Sequence, residues 1–124
     1  MIKGIGIDLV DKYRFRQIIQ KYGNKFAYKI LSNSEYVEYK EISNKESFLS
    51  KRFAAKEAFS KAIGCGLYRN GIYPNLIAVQ HDKFGKPFLS FSVELKSFIA
   101  KKYTNIHLSI TDSDNQSIAF VTLE

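Results

Sequence analysis

Ile2 to Val10 sets Ile2, Gly4, Gly6 and Asp8 against Lys3, Ile5, Ile7 and Leu9. That alternation is the pattern of a strand, and a carboxylate closes it among apolar neighbours. From Asp11, placed to cap a helix, Phe15, Ile18, Ile19 and Tyr22 recur at helical spacing until Gly23, with Lys12, Arg14 and Arg16 as a basic shoulder near the start. Ser32 precedes Asn33-Ser34-Glu35 in the capping-box pattern, which predicts a second helix of about 8 to 10 residues. Asn44 to Ile63 carries the strongest helical signal. Phe48, Arg52, Ala55, Phe59 and Ala62 share one stripe, and Gly64 follows as the stop. The opposite stripe, with Ser50, Phe53, Ala54, Glu57 and Lys61, is half apolar, so this helix is expected to be covered on both sides. Glu57 and Lys61 emerge together one turn apart, and a carboxylate between Phe53 and Ala54 needs a partner.

Asn75 to His81 and Pro87 to Phe91 read as strands joined by the loop Asp82-Lys83-Phe84-Gly85-Lys86. Ser92 opens a further amphipathic helix with Val93, Leu95, Phe98, Ile99 and Tyr103 on its apolar positions. Ile106 to Thr111 and Ile118 to Leu123 form a closing hairpin around the turn-rich Asp112 to Gln116. The order β, α, α, α, β, β, α, β, β predicts an α+β fold. It is expected to be a single compact domain over residues 1–124, with an antiparallel sheet packed with the long central helix.

Composition narrows this picture. At 124 residues, 45% hydrophobic and 25% charged, the chain is no disordered segment, and a domain of this size buries about two-thirds of its surface. No apolar run approaches the roughly 20 residues that span a bilayer, and the N-terminus lacks a secretory signal pattern. A cytoplasmic protein without membrane contact is therefore expected. Cys65 is the only cysteine, so neither an internal disulfide nor a cysteine zinc site exists. The 19 Lys and Arg against 12 Asp and Glu leave a net charge of +7, which draws polyanions: phosphate-rich ligands, nucleic acid or acidic proteins. The excess is spread along the chain as a basic face rather than a tail.

Asp8 and Glu57 offer two carboxylates that packing can unite, a donor set Mg²⁺ takes together with waters and substrate phosphates. Spacing alone leaves the ordinary alternatives open. A strand-end aspartate is often a turn or cap residue, and Glu57 with Lys61 has the spacing of a helix salt bridge. Gly64-Cys65-Gly66 either brings amides toward a phosphate or simply ends the helix. Lys83, Gly85 and Lys86 either reach a phosphate or are solvated. His81 and His107 lack a Cys or His at ligand spacing, which argues against zinc. No GxGxxG, GxxxxGK[ST] or GxSxG is present, so nothing supports a Rossmann, P-loop or hydrolase reading.

Longer strings add a family. Gly4-Ile5-Gly6-Ile7-Asp8-Leu9-Val10, with Arg14 beyond it, resembles the opening of the holo-acyl-carrier-protein synthases. Arg52-Phe53-Ala54-Ala55-Lys56-Glu57-Ala58, continued by Lys61-Ala62 and Gly64, is similar to their signature helix. Ile30-Leu31-Ser32 with Glu35, the Gly85-Lys86-Pro87 loop, and His107-Leu108-Ser109-Ile110 followed by Ala119 and Val121 fall in family order. The resemblance spans essentially the whole chain. It implies Mg²⁺-dependent transfer of 4′-phosphopantetheine from coenzyme A to a serine of apo-acyl carrier protein, a step of fatty acid biosynthesis. By the same resemblance Asp8 and Glu57 are the metal ligands, and Glu57, directly or through a water, is a candidate base. Lys61 would stabilise the phosphates or the leaving group. Arg52, Lys61, Gly64, Gly85, Lys86, Pro87 and Thr111 would contact coenzyme A. Arg14 would dock the acidic carrier protein, with Lys12 and Arg16 added for proximity. The family's homotrimer, with sites in clefts between subunits, is expected here too.

The chain departs from the family at Thr111-Asp112, where Ser-His is usual. Thr111 keeps a hydroxyl, but Asp112 puts an anion where coenzyme A phosphates are expected. Either Asp112 turns away with a nearby lysine compensating, or coenzyme A binds more weakly. Two other readings compete. One is a small basic nucleic-acid-binding module, against which most Phe residues fall at core-like positions. The other is an inactive relative that only binds the carrier protein.

Overall fold

The computed structural model describes residues 1–124. The first strand, β1 (Gly4–Asp11), runs directly into α1 (Lys12–Tyr22). A short helix α2 (Lys25–Ile30) and α3 (Asn33–Glu41) follow. The capping box of α3 is formed in both directions: the Glu35 amide donates to the Ser32 hydroxyl, and the Ser32 amide donates to the Glu35 carboxylate at 2.9 Å. The long helix α4 (Lys45–Ile63) ends on Gly64 at φ 92°, a left-handed cap that glycine adopts freely. A 3₁₀ turn at Pro74–Leu76 leads to β2 (Ile77–His81) and β3 (Pro87–Phe91), and α5 (Val93–Lys102), β4 (Ile106–Asp112) and β5 (Gln116–Leu123) complete the chain.

The five strands divide between two antiparallel sheets, β1-β5-β4 and the ribbon β2-β3. In the first, Gly6 faces Val121 and Asp8 faces Ala119 across the β1–β5 ladder. Helix α4 lies on this sheet's inner face. A Cβ at Gly6 would overlap the Ala58 carbonyl oxygen, and one at Gly4 the Ala62 carbonyl oxygen. The glycines of β1 and the alanines of α4 thus allow helix and strand to touch backbone to backbone. Asp8 continues the glycine row one pleat further along, so its side chain is delivered to the flank of α4. On the other side of α4 Phe59 packs against Phe91 of β3, ring centres 5.0 Å apart, and Ala55, Ala58 and Phe59 are fully buried. The helix is covered on both sides.

One buried ion pair locks the layers. Lys56 Nζ donates to Glu35 Oε1 at 2.6 Å and to the Ile30 carbonyl at 2.7 Å, with side chains 0% and 2% exposed. Glu35 Oε2 accepts from the Val79 amide at 2.8 Å. A single carboxylate therefore caps α3, receives β2 and neutralises a lysine of α4. Burial pulls Lys56 down to about 8 against the attraction of Glu35, which leaves it charged at neutral pH. The outer face of the β1-β5-β4 sheet is left apolar and open: Ile5, Ile7, Leu9 and Phe120 are each 41% to 62% exposed.

Candidate active site

Where β1 passes the flank of α4, Lys61 meets Asp8, and Glu57 stands one turn before Lys61 on the same helix. Lys61 Nζ donates to Asp8 Oδ1 and to the Ile7 carbonyl, both at 3.0 Å. The i to i+4 salt bridge that spacing allowed is thus absent; Lys61 turns to the strand, and the chain's six ion pairs leave Glu57 out. Asp8 Oδ2 is buried without any hydrogen-bond partner. The pKa of Glu57 is raised, first by burial and then by the Asp8 carboxylate, against smaller opposing pulls from Lys61 and Arg14. A carboxylate whose charge is disfavoured by burial and by its neighbour, beside another with an orphaned buried oxygen, is under-neutralised by the protein alone. A divalent cation between them would satisfy both. No third Asp, Glu, His or Cys joins them, which does not suit a closed structural zinc site and does suit Mg²⁺ completed by waters and phosphates. The Lys61 ammonium has three donors, two of them used within the chain, and with its side chain half-exposed the third is available to a ligand.

Arg14 is exposed on α1, its guanidinium 5.9 Å from the Phe53 ring centre. It stands apart from Glu57 in sequence yet near enough in space to lower that group's pKa. Arg16 is held by Glu46 through two hydrogen bonds of 2.7 and 2.8 Å. Lys12 corrects the sequence-based expectation of a docking residue. It is only 7% exposed, and its ammonium binds Asp112 Oδ2 at 2.7 Å and the Ser113 carbonyl. The same contact answers the departure at Asp112: a lysine 100 positions away compensates its charge, and that hydrogen bond is the main reason its pKa is lowered.

The coenzyme A positions taken from the family resemblance have diverse settings. Arg52 is buried with its guanidinium 3.5 Å from the Phe48 ring centre and its Nε without a partner. The Gly64 amide donates to the Ser60 and Lys61 carbonyls and the Cys65 amide to Ser60, so the helix stop consumes the donors that a phosphate cradle would need. In the β2–β3 loop, the Phe84 and Lys86 amides donate to Asp82 Oδ1 and the Gly85 amide to the Asp82 carbonyl, leaving the Lys86 side chain exposed. Pro87 begins β3, and Thr111 is exposed on β4 beside Asp112. Sequence reasoning did not single out Lys56 as a buried charge, because its partner Glu35 lies 21 positions away.

Comparison with known proteins gives one answer. The model of the 4′-phosphopantetheinyl transferase superfamily matches residues 4–121. The holo-[acyl-carrier-protein] synthase of Nitrosomonas eutropha is 49% identical over 125 residues, covering 100% of this chain and 99% of that protein. The crystal structure of the holo-[acyl-carrier-protein] synthase from Neisseria meningitidis superposes with a TM-score of 0.95 at 36% identity, covering 100% of this chain and 99% of that one. A holo-(acyl-carrier-protein) synthase from Bacillus anthracis, solved in complex with CoA (3′,5′-ADP), superposes with a TM-score of 0.81 at 36% identity, over 99% of this chain and 96% of that one.

Proposed function

The chain belongs to the 4′-phosphopantetheinyl transferase superfamily, and we propose that it carries 4′-phosphopantetheine from coenzyme A to a serine of an apo-acyl carrier protein, with Mg²⁺ at Asp8 and Glu57, as a cytoplasmic enzyme of fatty acid biosynthesis. The observation that carries the metal assignment is the buried, unpartnered Asp8 Oδ2 beside a Glu57 whose pKa its neighbour raises. Bound there, Mg²⁺ would neutralise charge on the diphosphate. The serine oxygen attacks the phosphorus that carries the pantetheine arm. The bond from that phosphorus to the oxygen shared with the adenosine phosphate breaks, and adenosine 3′,5′-bisphosphate leaves with the electron pair. Glu57, directly or through a water, is the group placed to take the serine proton. Lys61 keeps one donor for the phosphate oxygens. Chelating divalent ions with EDTA is expected to stop transfer, and Mg²⁺ in excess to restore it; transfer undiminished in EDTA would remove the metal from the account.

A homotrimer follows from the same reading. The open apolar face of Ile5, Ile7, Leu9 and Phe120 is a surface that association would bury. Light scattering of the wild type is expected to give three chains, and Ile7→Asp smaller species; a wild-type monomer at micromolar concentration contradicts this.

Carrier-protein docking is assigned to Arg14. It is exposed on α1 and close to Glu57 in charge terms, so an acidic partner engaging it presents its serine near the reacting carboxylate. Arg14→Glu is expected to raise the KM for carrier protein several-fold and that for coenzyme A much less, with weaker dependence on salt than wild type. Steady-state kinetics with each substrate varied separately decides it, and an unchanged carrier-protein KM returns Arg14 to the solvated surface.

A further inference from the structure

The first turn of α1 is electrostatically unfavourable when taken alone. It carries Lys12 and Arg14 and no carboxylate, at the end of a helix where the aligned amides favour negative charge. Asp11 stands in the cap position, but its side chain makes no capping hydrogen bond and accepts instead from Gln116 Nε2 at 3.2 Å. Lys12 is buried as well, which a lysine tolerates only with a partner. That partner comes from the far end of the chain. The Lys12 amide donates to the Asn115 carbonyl at 2.8 Å, and its ammonium donates to Asp112 Oδ2 at 2.7 Å and to the Ser113 carbonyl. Asp112 ends β4, and Ser113 and Asn115 lie in the turn before β5. Asp112 Oδ2 also accepts from the Ser47 hydroxyl of α4 at 3.5 Å, so this one lysine ties α1 to the β4–β5 turn and to the start of α4.

The next inward residue of α1 is Phe15, buried and packed on Phe53 with ring centres 5.4 Å apart. Arg14 lies between these two anchors. Two positions along a helix turn a side chain by about 200°, so an inward Lys12 sends Arg14 outward. Arg14 is exposed and belongs to none of the ion pairs, unlike Arg16, which Glu46 holds. Its direction is therefore set by the backbone of its own turn and by the Phe53 ring beneath its guanidinium. With Asp11 supplying no side-chain cap, the Lys12 contacts are what fix that backbone at its start.

We propose that Lys12 is a positioning residue for carrier-protein docking: its clasp on Asp112 and the β4–β5 turn fixes the first turn of α1 and, through it, the direction of Arg14. This rests on the docking role assigned to Arg14 above. Lys12→Met keeps the length of the buried side chain and leaves behind a carboxylate that is a third exposed and can take water, so the fold is expected to hold. Its KM for carrier protein is expected to rise several-fold, no further than in Arg14→Ala, with the loss in KM rather than kcat and the KM for coenzyme A unmoved. Asp112→Asn breaks the same clasp while making the protein more positive. Its carrier-protein KM is expected to rise too, whereas a long-range charge effect would lower it. In an Arg14→Ala background neither substitution is expected to add to the loss, because both act through that arginine. A wild-type carrier-protein KM in Lys12→Met overturns the proposal, as does a fall of that KM in Asp112→Asn, a rise shared equally by both substrates, or a full additional rise in the Arg14→Ala background. Arg14→Ala with a wild-type carrier-protein KM overturns the docking role itself, and a wild-type control that transfers nothing overturns the transferase reading.

Discussion

Alanine at Asp8 or at Glu57 is expected to lower the rate of phosphopantetheine transfer by about 10²- to 10³-fold, the usual loss when preorganised charge stabilisation is removed from a reacting centre. Both variants should stay folded. Glu57 belongs to no ion pair and sits where burial and Asp8 make its charge unfavourable, while Asp8 has one oxygen buried without a partner and pairs through the other with a half-exposed Lys61, so neither carboxylate contributes much to the stability of the fold. Removing Asp8 frees Lys61, but that side chain is half-exposed and water replaces the lost bond. Circular dichroism checks the fold and a coenzyme A transfer assay the rate. Two folded variants at wild-type rate would show that these carboxylates hold no essential cation.

Glu35→Ala should act in the opposite way, through stability rather than chemistry. It removes the partner of a fully buried Lys56, the acceptor of the Val79 amide and half of the α3 capping box in one step. Breaking a buried pair from one side costs about 3 to 5 kcal/mol because the other charge stays behind. For a domain of this size that is a fall in melting temperature on the order of 10 to 20 °C. Replacing both partners with apolar residues, as in Glu35→Leu with Lys56→Met, should recover part of the loss, since the stranded charge goes with its partner. A melting temperature within about 3 °C of wild type in Glu35→Ala would mean that the pair does not hold α3, α4 and β2 together.

These two expectations separate what sequence pattern reveals from what only three dimensions reveal. The long helix was legible because its apolar residues cover two stripes, and β1 because its glycines and isoleucines alternate. Helix α2 was not: Lys25–Ile30 is six residues with no side-chain cap at Asn24, too short for a period to register. Lys56 lies on a helix whose pattern announces burial all round, yet nothing local says which carboxylate neutralises it. The Lys12–Asp112 contact joins the start of α1 to the end of β4, and the basic shoulder gave no sign that one of its members was turned inward. Asp8 and Glu57 are 49 positions apart, and spacing left their union open. What pointed to it was the run of family strings, and the physical cause is the pair of glycines that lets α4 approach β1.

The most direct test of the whole account is mass spectrometry of an apo-acyl carrier protein incubated with this protein, coenzyme A and Mg²⁺. The account predicts that the carrier gains the mass of 4′-phosphopantetheine on its serine and that adenosine 3′,5′-bisphosphate appears in equal amount. A carrier protein that binds the enzyme but keeps its apo mass would contradict it and leave a chain that only docks.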